Sequence, residues 1–205
     1  MSFVMDQFVP WVGEALTLYT PSYVPPTPSG KCVAASSPRV ALERHGSDVR
    51  FETRAPWWQN PSPGGPARSV WGLWEYEVLE IFIVGQGGRY LELEIGPWGH
   101  HLMLALSAPR EIERRHLTPA QLRCERHSAP LSDDVPHLAW SSEGLIHGEQ
   151  LPVPYRDQEM VPYWRVNSFW CFSRDQQRYH CSASPLPGER PDFHQPQHFP
   201  QWILS

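Results

Sequence analysis

Lysine is almost missing from this chain of 205 residues: Lys31 is the only one. The formal net charge is −5. A basic phosphate-binding footprint is therefore absent, and a dedicated nucleic-acid binder is not expected. No run of 18 apolar residues occurs, which predicts no transmembrane helix and no membrane partner. The four cysteines, Cys32, Cys124, Cys171 and Cys181, include no CxxC pair, so neither a zinc knuckle nor a thioredoxin-type site is predicted. There is no GxSxG, no HExxH, no P-loop and no GxGxxG opening a helix. No cofactor and no catalytic residue is predicted on that ground. The first residues carry Asp6 and Glu14 and no basic cluster, unlike a secretory leader. They predict a cytoplasmic protein with reduced thiols.

Proline and tryptophan are abundant instead. The 23 Pro and 14 Gly interrupt helices and favour short strands joined by turns. The 10 Trp are large planar groups that either pack a core or stack on a ligand face. Residues 1–35 are poorly patterned, with a Pro-rich stretch from Pro21 to Gly30, and residues 36–205 read as one domain.

Within that domain the period is two. Val40 and Leu42 alternate with polar neighbours, Gly46-Ser47 turns the chain, and Val49 and Phe51 resume the alternation. Leu73–Val84 is rich in β-branched and aromatic residues and reads as one long strand ending at the turn Gly85–Gly88. In the strand after it, Leu91, Leu93 and Ile95 share one face and Tyr90, Glu92 and Glu94 the other. Leu102, Leu104 and Leu106 align in the next, so the three segments read as a meander with one apolar face. The charged stretch 108–120 reads as a loop. Further short strands are expected around Leu122–Glu125, Leu138–Trp140, Gly144–Glu149, Trp164–Cys171 and Tyr179–Ser182. Many short strands with turn residues between them predict an all-β antiparallel sandwich or barrel with little helix.

The block from Leu73 to Ser107, with Leu-Trp-Glu-Tyr-Glu-Val, Tyr-Leu-Glu-Leu-Glu-Ile and Pro-Trp-Gly-His-His-Leu, resembles the conserved family of the human chromosome-four open-reading-frame-33 protein. Leu151–Trp170 and Pro191–His194 resemble the same family, and the likeness runs from about Arg39 to Phe199. The chain has Gly96 and Trp98 where Cys and His are usual in that family. More remotely, Glu80–Ile83, Tyr90–Glu94 and Pro97–Gly99 are similar to carbohydrate-binding module family nine and DOMON-like sandwiches. The resemblance implies a β-sandwich with a concave face, and no established activity.

Carboxylates and aromatics are the candidate site. Glu75, Glu77 and Glu80 read as one strand, with Glu80 on the face opposite Glu75 and Glu77. Glu80, Glu92 and Glu94 then form an acidic group beside Tyr90. Such a group needs Arg89, Arg165 or Arg178 as a partner, or it faces a ligand. Sugar hydroxyls seek carboxylates while sugar C–H faces stack on indoles. Glu80, Glu92, Glu94 and Tyr90 with Trp57, Trp58 and Trp98 are therefore the expected ligand-binding residues, for a saccharide or small polar ligand without catalysis. A protein-interaction module and a carboxylate-based glycoside hydrolase are the alternatives. Trp74 is expected to cap the core. Asp192, His194 and His198 could ligate a metal but lack the spacing of known zinc motifs.

Overall fold

The computed structural model describes residues 11–12, 15–19, 38–128, 138–174, 176–188 and 192–204. Among them there is no α-helix, and the chain forms a sandwich of two sheets. The first strands are β1 (Trp11–Val12), β2 (Ala15–Tyr19), β3 (Arg39–His45) and β4 (Asp48–Pro56). Next come β5 (Val78–Val84), β6 (Tyr90–Ile95), β7 (His101–Ala108), β8 (Glu111–Leu117) and β9 (Ala120–Ser128). The last are β10 (Leu138–Ile146), β11 (Tyr155–Arg156), β12 (Pro162–Arg174), β13 (Gln177–Ser182) and β14 (Gln201–Ile203).

One sheet has nine strands in the order β1-β14-β12-β5-β6-β7-β8, with β11 and β13 also paired to β12. The other has five, in the order β2-β3-β4-β10-β9. Every pairing of named strands is antiparallel except β1 with β14.

The main core lies between the sheets. Leu79, Ile81 and Ile83 of β5 and Leu91, Leu93 and Ile95 of β6 meet Val40, Leu42, Phe51 and Trp140 of the smaller sheet. Alternation at period two puts these side chains on one face, and burying a large aliphatic side chain is worth about 1.5–3 kcal/mol. A second apolar cluster lies on the outer face of the nine-stranded sheet. Val78, Phe82, Tyr90, Leu102, Leu104, Phe169 and Phe199 form it, with Phe193 packed against them. Both faces of β5 and β6 are thus covered, and every residue of the two strands is buried.

The register corrects the expected single apolar face. Glu92 pairs with Leu104, and Glu94 pairs with Leu102. Residues directly opposite across an antiparallel pair share a face. Leu102, Leu104 and Leu106 therefore lie beside the glutamates on the outer face, and Met103 fills the inner core. Two further expectations change. The segment 73–84 is not one strand: Leu73–Glu75 is a 3₁₀ turn and β5 begins at Val78. The charged segment 108–120 is no loop: it contains β8, an edge strand. Charged side chains on an edge discourage pairing with other chains, which is why so polar a segment can be a strand. The two short strands expected within residues 138–149 are the single strand β10 followed by a 3₁₀ turn.

Candidate functional site: an acidic cleft on the outer face

Glu80 of β5 stands directly opposite Glu94 of β6, and Glu92 is two residues from Glu94 on the same face. Glu80 is 3% exposed, Glu92 6% and Glu94 0%. Among the described residues, neither Glu94 oxygen nor Oε2 of Glu92 has a hydrogen-bond partner outside the acidic group, within which the Glu92 and Glu94 carboxyls act on each other. Glu80 Oε1 accepts a long 3.6 Å hydrogen bond from Cys171 Sγ, which is also 3.4 Å from His180 Nδ1.

None of the three glutamates forms an ion pair among the described residues. The arginines proposed to neutralise them are engaged elsewhere. Arg89 pairs with Glu113, and Arg165 donates to the Phe199 carbonyl at 3.1 Å. Arg178 donates to the carbonyls of Trp74 and Tyr76, at 2.7 and 2.6 Å, and acts on Glu80 only through its charge.

Burial and mutual repulsion raise these acids. Burial, then the charge of Glu92, pushes Glu80 up to about 8. Burial pushes Glu92 up to about 7. Glu94 is raised well above the usual range by burial, then by the charges of Glu80 and Glu92. Burial and the Glu80 charge also push the Cys171 thiol well up, so it is no thiolate nucleophile.

Glu80 and Glu92 line a cleft of about 480 Å³ on the outer face. That volume lies within the ~300–1,000 Å³ of small-molecule sites. Trp71 and Trp74 form one side, with ring centroids 5.1 Å apart at 83°. They are 46% and 38% exposed. Their backbone is fixed locally. Val70 N–H donates to the His101 carbonyl at 2.9 Å, Gly72 takes a φ of 81° that favours glycine, and Leu73 is buried as an anchor.

The opposite wall is the segment that follows β13. Phe193 stacks on Phe169 with centroids 4.0 Å apart, and Asp192 pairs with Arg110 at 2.8 Å. Tyr90 accepts from the Arg110 N–H at 3.1 Å and sits 2.6 Å from His194 Nδ1. Burial, then the Arg110 charge, lowers the His194 pKa, so the ring is neutral. The Tyr90 hydroxyl and Nδ1 share one hydrogen bond, whose direction follows the tautomer of the ring.

The fold thus brings together Glu80, Glu92, Glu94 and Tyr90, as their spacing suggested. It does not bring Trp57, Trp58 or Trp98 to them. Trp58 stacks on Phe172, with Arg174 over its other side, and Trp57 packs edge-on to Trp98, whose ring Arg126 covers at 4.2 Å. Trp57 and Trp58 pack against the inter-sheet core, and all three indole nitrogens are buried. Trp71 and Trp74 line the cleft in place of those three, and Trp74 is exposed there instead of being buried as a cap on the core. Glu75 is exposed on its turn. Glu77 is buried and accepts from the Trp58 and Asn60 backbone N–H groups, at 3.0 and 3.3 Å, which pins that loop. Asp192 and His194 are occupied by Arg110 and Tyr90. Among the described residues no three His, Cys, Asp or Glu side chains are grouped to hold a metal ion.

A rat protein is 29% identical over 170 residues, spanning 78% of this chain and 76% of its own. Its human counterpart is 28% identical over 169 residues, with the same shares. Both bear the name UPF0462 protein C4orf33, and this chain is similar to them over that span. The zebrafish homologue is 29% identical over 164 residues, 76% of this chain and 74% of its own. No protein-family model matches the chain. A Bacteroides uniformis protein called a "putative carbohydrate-binding protein" superposes with a TM-score of 0.61 at 18% identity, over 94% of this chain and 86% of its own. That likeness establishes the sandwich fold. No helix among the described residues is long and apolar enough to cross a membrane.

Proposed function

We infer that the protein binds a saccharide or a similar small polyhydroxylated ligand in the outer-face cleft, without catalysis. The observation that carries this reading is the placement of two half-exposed indoles, Trp71 and Trp74, in one cleft with the buried carboxyls of Glu80 and Glu92. An indole offers a flat apolar face to sugar C–H groups, and the carboxyls bond the hydroxyls beside them. His194 adds an imidazole to the lining of the opposite wall. The name of the Bacteroides neighbour supports the same class of ligand. Isothermal titration calorimetry against a panel of neutral mono- and disaccharides tests it, using the full chain and a Trp74→Ala variant. Binding that is lost in Trp74→Ala is the expected result. No heat across the panel, or equal binding by the variant, overturns the reading.

A further inference from the structure

We propose that the cleft selects a ligand bearing a protonated amine among its hydroxyls, an amino sugar or amino polyol, and that Glu92 receives the ammonium group. The proposal rests on the ligand-binding reading of the cleft and adds the charge of the ligand.

The argument is one of charge balance. Glu80 and Glu92 line the cleft, and Glu94 lies behind them. The other charged pair at the cleft, Arg110 with Asp192, neutralises itself. His180 and His194 are both lowered by burial and then by a nearby arginine, so neither brings a positive charge at neutral pH. Tyr90, raised to about 12 by burial, and the raised Cys171 thiol stay neutral. Arg178 is the remaining cation near the acids: its Nη2 donates to two backbone carbonyls, its buried Nη1 has no hydrogen-bond partner among the described residues, and its charge acts on Glu80. The acids are held largely neutral by burial, and whichever of them ionises has, among the described residues, only Arg178 as a nearby cation.

A second observation points to what fills the gap. Glu92 is nine-tenths buried and lines the cleft. Among the described residues its Oε2 has no partner outside the acidic group, where a protonated Glu94 is its one side-chain neighbour in hydrogen-bonding reach. A buried carboxyl oxygen that lacks a donor is costly, and a ligand ammonium supplies both the donor and the charge. Arg115 already lies 4.7 Å over the Trp71 ring, and Trp74 beside it adds an indole face in the same cleft, where aromatic faces attract cations.

Proton linkage supplies a readout. Glu92 must ionise to receive the ammonium, and in the free protein burial holds it at about 7. Apparent affinity scales with the ionised fraction, so it should rise about tenfold from pH 6 to pH 8. The probes are 6-amino-6-deoxyglucose and 6-amino-6-deoxygalactose, whose alkylamines stay protonated over that range, each against its parent sugar. Calorimetric titrations at pH 6, 7 and 8 should show one amino sugar binding at least tenfold tighter than its parent at pH 8. That preference should shrink toward pH 6, and Glu92→Gln should remove it while the parent sugar still binds. Equal affinity for amino and parent sugar, flat with pH, overturns the amine proposal and leaves the sugar-binding reading intact. Binding by neither overturns both. Should Glu92→Gln not fold, the wild-type pH profile and the matched sugars decide alone.

Discussion

Glu80 and Glu94 face each other directly across β5 and β6, both buried and neither ion-paired. Like charges at directly opposed positions destabilise a sheet. The structure tolerates the pair because burial favours the neutral acid, so the group keeps protons that exposed glutamates have lost. The strand pairing is thus coupled to pH.

Stability should fall as pH rises from 6.5 to 8. The folded protein holds protons on Glu80 up to about 8 and on Glu92 up to about 7, while glutamates of the unfolded chain titrate near 4.5. The folded state therefore binds more protons between 4.5 and those values. Its advantage is complete below 4.5 and is lost as pH rises through the folded values. Each such glutamate contributes a slope of at most about 1.4 kcal/mol per pH unit. The lowered histidines, His101, His180 and His194, act in the opposite sense, but only below about their usual 6.5. Chemical denaturation at pH 6.5 and 8.0 measures the difference, and Glu80→Gln should reduce it. The remainder comes from Glu92, from Glu94 and from Glu77, the last pushed up to about 7 by burial. Stability that climbs over this interval would contradict the assignment.

Leu93→Ala should cost about 2–5 kcal/mol, the range for large-to-small changes in a packed core. Leu93 is fully buried between the sheets, away from the cleft. The variant should keep its ligand affinity wherever it remains folded. Urea titration reads the first effect, and a loss below about 1 kcal/mol would place Leu93 at the surface instead.

Tyr90→Phe removes the hydroxyl that joins His194 to the Arg110 backbone. About 1–3 kcal/mol should be lost through the groups left unsatisfied. The clearer sign is local. Amide hydrogen exchange should quicken over residues 192–199, which Tyr90 ties to the sheet, while the β3–β4 hairpin keeps its protection. Uniform exchange across both regions would show that the hydroxyl has no strapping role.

Glu77→Ala strands the backbone N–H groups of Trp58 and Asn60, at a cost of about 1–3 kcal/mol. Glu77→Gln keeps a carbonyl oxygen for those donors and should recover most of that loss. Thermal melts of the two variants at one pH make the comparison. Equal melting points would mean that the carboxyl does not hold the loop.

Much of the fold is legible in local pattern. The β3–β4 hairpin turns at Gly46-Ser47 as the alternation on either side requires, and Tyr90, Glu92 and Glu94 share a face because the strand period is two. The acidic half of the site follows from the same rule. The segment 73–84 misled because its aromatic and β-branched composition suits a strand, whereas the left-handed Gly72 and the buried Leu73 turn its first residues into a 3₁₀ anchor. β8 was hidden because edge strands carry the charge that marks loops.

Composition and periodicity by themselves determined that this chain is an all-β protein with short strands, that Leu91, Leu93 and Ile95 point one way, and that Glu92 and Glu94 point the other. These are properties of one strand, set by the geometry of a single extended backbone. Only the tertiary structure decided what covers each face. Strand register placed Leu102 and Leu104 beside the glutamates rather than behind them. The loop before β5 and the segment after β13 brought Trp71, Trp74, Phe193 and His194 to that face, while Trp57 and Trp58 of the same loop, and Trp98 of the β6–β7 turn, pack elsewhere. Contacts between residues more than a hundred positions apart, such as Tyr90 with His194, depend on how sheets and loops pack. A local pattern records which way a side chain points, and the rest of the fold sets what it meets.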